Sequence, residues 1–70
     1  MGKTRLGNQI KSLRESKGLS QGDIEKRTGI KREYISKIET GDLENPTYKT
    51  LQKLAKGIGV SVIELIPAGD

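Results

Sequence analysis

The sequence predicts an all-α bundle of five short helices, and three observations carry that expectation. Apolar residues recur at three- and four-residue spacing along most of the 70-residue chain, the period of a single helix face. Capping residues, glycines and two prolines cut this pattern into pieces of a few turns each. No segment alternates apolar and polar residues with the period of a strand, and there are no repeats or low-complexity tracts.

Leu6, Ile10 and Leu13 share one face of a first helix over residues 6–16, and Gly18 supplies its stop. Leu19 is expected to drop into the core ahead of Ser20, a good N-cap, with Asp23 three positions on favouring the first turn of a second helix. That helix runs from Ser20 or Gln21 to Arg27, and Gly29 takes the turn that follows. A third helix is expected over residues 31–39, ending near Gly41. Pro46 then interrupts the backbone amides, and Thr47 caps a fourth helix carrying Leu51, Leu54, Ala55 and Ile58. Gly57 lies inside it at a cost of about 1 kcal/mol relative to Ala, and Gly59 ends it. Ser61 to Glu64 has the form of a capping box opening a fifth helix, which Pro67 stops. Residues 6–67 thus make one domain, between a loose basic arm at 1–5 and a loose tail at 68–70.

Composition removes several function classes. The chain has no Cys and no His, which excludes disulfides, cysteine-ligated metals, ordinary zinc sites and the commonest general base. No pair of carboxylates is spaced to act on one bond, so neither catalysis nor a cofactor is expected. With no Phe or Trp the core must be aliphatic. No apolar run approaches the roughly 18 residues of a membrane span, and no secretory h-region is present. Met1-Gly2 resembles a myristoylation start, but Leu6 stands where Ser or Thr is required. A cytoplasmic protein with no membrane partner is expected. The formal net charge of +4 suits a polyanion.

The most informative stretch is Gln21 to Ile38. Ile24, Ile30, Ile35 and Ile38 turn both helices toward one core, leaving Arg32, Glu33, Tyr34 and Lys37 on the outer face of the third helix. A rigid helix presenting long polar side chains near its N-terminus is what the DNA major groove admits. The helix dipole disfavours Lys31 and Arg32 at that end, and a phosphate or guanine partner would account for them. Glu33 has two readings at this stage, accepting from a cytosine amino group or holding Arg32 or Lys37. Tyr34 is expected at the surface and Tyr48 half-buried by packing.

The order of elements, with I-K-S-L-R-E-S-K-G-L-S-Q at 10–21, T-G-I at 28–30, Y-I-S-K-I-E-T-G at 34–41, N-P-T at 45–47 and L-Q-K-L-A-K-G-I-G-V-S at 51–61, resembles the phage lambda-repressor-like (XRE-type) helix-turn-helix family. The resemblance runs from Leu6 to Ile66. It implies a five-helix lambda-repressor-like bundle in which helices 2 and 3 form the helix-turn-helix. It also implies double-stranded DNA as the partner, read by a prokaryotic or phage transcriptional regulator. Carried over residue by residue, it assigns Lys31, Arg32, Glu33 and Lys37 to base contacts. It assigns Gln21, Tyr34, Asn45 and Thr47 to phosphate contacts, with Gln21 also bracing the recognition helix. Arg14 and Glu39 match a buried ion pair between helices 1 and 3.

Two positions depart from the family pattern. Glu25 stands where Ala is usual, and it must reach solvent or pair with Lys26, Arg27 or Lys37. The loop after helix 3 carries Asp42 and Glu44 where phage repressors are often basic. Lys3 and Arg5 form a basic arm that is expected to fray. Proteins of this kind bind two-fold operators as homodimers, and Val62, Ile63, Leu65 and Ile66 hold more apolar surface than one short helix needs. They either form a dimer face or close the core. A toxin's antitoxin and a protein-interaction module that kept the fold are the rival functions, and a toxin or a sensor domain is a possible protein partner.

Overall fold

The computed structural model describes residues 5–43 and 45–66. They form five helices: α1 (Arg5–Ser16), α2 (Gln21–Thr28), α3 (Arg32–Thr40), α4 (Tyr48–Ile58) and α5 (Val62–Leu65). Lys3, Glu44, Pro67 and the 68–70 tail, on which expectations were placed, lie outside the described residues. α2 and α3 each run one residue further than the sequence suggests, to Thr28 and Thr40, and two helix starts also move. Arg5 is the first residue of α1 rather than part of a loose arm, and Lys31 is the N-cap of α3 rather than a residue of its first turn.

Each helix contributes to one aliphatic core. Ile10 comes from α1, Ile24 from α2, Ile35 and Ile38 from α3, Leu51, Leu54, Ala55 and Ile58 from α4, and Leu65 from α5. Leu6, Leu13, Leu19, Ile30 and Tyr34 pack around them, half-buried. α1 lies against α3 and α5, α2 against α3 and α4, and α4 against α5. Gln9 and Arg27 tie the layers by side chain. The Gln9 amide donates to the Glu64 carbonyl at 2.9 Å, and the Arg27 guanidinium donates to the Gly57 carbonyl at 2.9 Å.

The turn between α2 and α3 follows from its residues. Thr28 turns its hydroxyl back to the Ile24 carbonyl at 2.8 Å and accepts from the Ile30 amide at 3.1 Å. Gly29 then takes φ +80°, a left-handed conformation that a side chain disfavours. Its amide donates to the Glu25 carbonyl at 2.8 Å, satisfying one of the carbonyls that a helix end leaves open.

Two close approaches set the helix spacings. A Cβ built on Gly57 would lie 2.5 Å from the Thr28 methyl, so α4 meets α2 where only glycine fits. The helix-interior glycine that costs about 1 kcal/mol in propensity is therefore a packing requirement. Gly7 plays the same part between α1 and the backbone of α3.

The start of α2 is fastened by a reciprocal capping box. Ser20 Oγ accepts from the Asp23 amide at 3.0 Å, and the Asp23 carboxylate accepts from the Ser20 amide at 2.8 Å. The Ser20 amide, then its hydroxyl, holds the Asp23 carboxyl below its ordinary range. A lowered folded-state value means stability that is present above the unfolded value and lost as pH falls through the folded one. Asp23→Asn is accordingly expected to lower the urea midpoint at pH 7, with the gap to wild type closing below about pH 4. Coincident midpoints at pH 7 would show that the carboxylate contributes nothing.

The fifth helix is short, and its four apolar neighbours divide. Leu65 is fully buried and Val62 packs half-buried against the core, whereas Ile63 and Ile66 are 76% and 47% exposed. Leu65 therefore cannot belong to a dimer face; a single turn of helix has room to point only part of its apolar set inward. Glu64 accepts from the Ser61 amide at 3.1 Å, holding the start of this turn.

Candidate nucleic-acid interface

Helix α3 is fixed from within by an ion pair. Arg14 Nε donates to Glu39 Oε2 at 2.7 Å and Arg14 Nη2 to Oε1 at 3.0 Å, with both residues buried. Such a two-point geometry matches the planar fork of guanidinium to carboxylate. The hydrogen bond to Glu39 is also the main reason that the Arg14 guanidinium holds its proton more firmly than usual. Arg14 Nη1 closes the set on the Leu19 carbonyl at 2.7 Å. Gln21 Nε2 then donates to Glu39 Oε1 at 3.0 Å from the first turn of α2. α1, α2 and α3 thus meet at one carboxylate.

With Ile35, Ile38 and Glu39 held inside, α3 turns its other charged residues outward. Arg32, Glu33 and Lys37 are exposed, and Lys31 is exposed at the N-cap. Lys31 gives the helix no side-chain cap, so the start of α3 presents cations in place of the usual capping oxygen. Tyr34 departs from the surface position expected of it. Its ring is half-buried against the core, and only part of it faces out.

Glu25 has a partner other than the bases expected for it. Its Oε1 lies 3.6 Å from Arg32 Nε, across the turn between α2 and α3. Arg32 is thereby paired from α2 rather than by Glu33 on its own helix. The α3–α4 connection places Asn45 and Thr47 at the surface, and the Thr47 hydroxyl accepts from the Thr50 amide at 3.2 Å as the cap of α4. Tyr48 is 57% exposed instead of packed, at the first residue of α4.

A helix-turn-helix family profile matches residues 10–65, which takes in the core, the turn at Gly29 and the outward face of α3. The chain belongs to the helix-turn-helix family. Among its relatives is the uncharacterized HTH-type transcriptional regulator y4dJ of Sinorhizobium fredii. It is 42% identical over 65 residues, covering 93% of this chain and 83% of that protein. The transcriptional regulator SinR of Bacillus subtilis is 33% identical over 61 residues, covering 87% of this chain and 55% of SinR. This helix-turn-helix chain therefore spans about half the length of SinR. It superposes on the N-terminal DNA-binding domain of SinR with a TM-score of 0.82 at 32% identity, covering 90% of this chain and 91% of that domain. The fold is thus lambda-repressor-like and all-α, in a family of transcriptional regulators. Among the described residues no helix is long and apolar enough to cross a membrane, and no acidic, His or Cys group is gathered to hold a metal.

Proposed function

We propose that this chain is a sequence-specific reader of double-stranded DNA in a prokaryotic or phage transcriptional regulator, with α3 laid in the major groove. The observation that carries the reading is the outward row Lys31, Arg32, Glu33 and Lys37 on a helix whose inner side is locked by Ile35, Ile38 and the buried Glu39. Base edges in the major groove offer acceptors to the cations and a cytosine amino donor to Glu33. Arg32 is the strongest reader, because its fork matches guanine O6 and N7.

Phosphates fall to Gln21, Tyr34, Asn45 and Thr47. Gln21 spends one N–H on Glu39, which leaves the other for a phosphate and couples that contact to the orientation of α3. Tyr34 offers the hydroxyl end of a ring anchored in the core, and Thr47 offers the rim of α4. These contacts position the helix without reading sequence.

A single domain of this size buries too little surface for tight binding by itself. A two-fold dimer on a near-palindromic operator is the natural complement, with half-sites about one helical turn apart. Ile63 of α5 and Ile66 at its C-cap, both exposed, support a self-contact there.

Selection from randomised duplexes at about 0.1 M salt, run on wild type beside Arg32→Ala, tests the reading. Wild type is expected to enrich a two-fold motif. Arg32→Ala should lose preference at one G·C position, by the roughly 1–3 kcal/mol that a bidentate contact discriminates. Enrichment of no motif, with binding that fades alike for all sequences as salt rises, would leave only charge attraction and overturn the proposal.

A further inference from the structure

Glu25 does nothing in the scheme above, yet it is the one acidic group paired to Arg32 among the described residues. Arg32 is the first residue of α3, where the helix dipole repels a cation and no cap side chain is present. Its guanidinium lies back across α2. Nε faces Glu25 at 3.6 Å, and Nη2 passes close to Gly22, one turn earlier, where a built Cβ would stand 3.5 Å away. The two α2 residues are three apart and so lie on one side of that helix. They flank the arginine head, whose side chain stays 63% exposed. The same residues, with Arg14, Gln21 and Asp23, line one open groove along the start of α2.

We infer that Glu25 is a specificity-determining residue, a positioning carboxylate that fixes Arg32 for guanine and keeps it from phosphate. An arginine whose Nε side faces a carboxylate keeps its two terminal NH2 groups as the free edge, and that edge suits a base with two neighbouring acceptors. An untethered arginine on a flexible stem satisfies itself on any nearby phosphate oxygen. In the free protein the pair is largely solvated and stabilises the fold little, since both side chains remain partly in water. Against DNA, with water excluded, the attraction between the two charges rises. The penalty for leaving rises with it: if Arg32 moves to a phosphate, a bare carboxylate is left facing a polyanion. Glu25 thus gives up general affinity and gains discrimination, an element that acts against the wrong partner as much as for the right one.

The inference rests on Arg32 reading a base, and the test separates the two. The probes are a duplex carrying the selected motif, the same duplex with each of the three other base pairs at the Arg32-dependent position, and a random-sequence duplex. Binding is measured for wild type, Glu25→Ala, Arg32→Ala and the double variant. Glu25→Ala is expected to cut discrimination at that position about fivefold, a substantial part of what a bidentate contact supplies. It should tighten random-duplex binding about threefold and steepen the slope of log affinity on log salt by about 0.9, as one more phosphate is neutralised. Its thermal melt should match wild type, so that a change in discrimination is not a folding defect. In the Arg32→Ala background, removing Glu25 should change discrimination at that position no further. Full discrimination in Glu25→Ala, with its loss in Arg32→Ala, would overturn the role of Glu25 and leave the reading of DNA intact. Unchanged discrimination in Arg32→Ala would show that Arg32 reads no base, and both would fall.

Discussion

Glu39→Gln is expected to remove most of the stability of the domain, about 3–5 kcal/mol, the cost of stranding one member of a buried pair. A chain of this length has only about 0.05–0.15 kcal/mol per residue to lose, so the variant should be largely unfolded at 37 °C. Three donors converge on the carboxylate: Arg14 Nε, Arg14 Nη2 and Gln21 Nε2. Glutamine keeps the shape but turns an NH2 toward at least one of those donors, and it leaves the buried guanidinium without a counter-charge. Arg14→Met should be milder, because Glu39 retains the Gln21 amide and the removed group is itself the costly buried cation. The double variant Arg14→Met/Glu39→Leu should recover much of the loss, since well-packed apolar residues of similar volume replace such pairs at little cost. Urea unfolding of the four proteins checks this. A loss under about 0.5 kcal/mol in Glu39→Gln, the magnitude of an exposed pair, would show that the pair is not structurally required.

That cluster also explains why the face proposed to read DNA and the core cannot be varied independently. Glu39 belongs to α3, its partners to α1 and α2, and the side chains proposed to read DNA begin seven residues earlier on the same helix. A shift of α3 that weakened the Glu39 contacts would move Arg32 and Lys37 with it, because a helix transmits displacement along its length. Stability and the proposed base contacts are therefore coupled through one buried carboxylate.

Local chemistry made the helices legible. The Ser20 cap with Asp23, the Gly29 turn and the Thr47 cap each depend on residues within four positions of one another, and each helix end is found within two residues of its expected place. The α2–α3 pair was legible for the same reason. Contacts between residues distant along the chain, or across a turn, were not. Glu25 meets Arg32 only because the left-handed Gly29 folds α3 back on α2, a direction that residue spacing does not encode. Leu65 and Ile63 sit two apart on either side of Glu64, and which of them enters the core depends on where α1 and α4 lie. Arg14 and Glu39 are 25 residues apart. Only their match to a family pattern linked them, since nothing in composition or periodicity pairs a buried arginine with one glutamate among several.

Gly7→Ala should cost several kcal/mol despite improving helix propensity, the opposite of what α1 read alone would suggest. In an exposed helix interior the change gains about 1 kcal/mol. Here the added methyl would stand 2.6 Å from the Glu39 carbonyl oxygen, with the Ile38 carbonyl oxygen nearer still. Both are backbone atoms inside α3, so no rotamer change relieves the clash; α1 must lift from α3 as a unit. Lifting stretches the contacts that the buried pair makes from Arg14, two turns along α1 from Gly7, to Glu39. The cost therefore exceeds the 1–3 kcal/mol typical of an overpacked core and approaches that of breaking the pair itself. Gly57→Ala is the informative companion. Its Cβ meets the methyl of Thr28, the end of a side chain, and Thr28→Ser would open that space. Gly57→Ala should thus be rescued by Thr28→Ser, whereas no single side-chain truncation should rescue Gly7→Ala. Thermal melts of the three variants decide the matter: a Gly7→Ala protein as stable as wild type would mean that α1 and α3 do not approach at backbone distance.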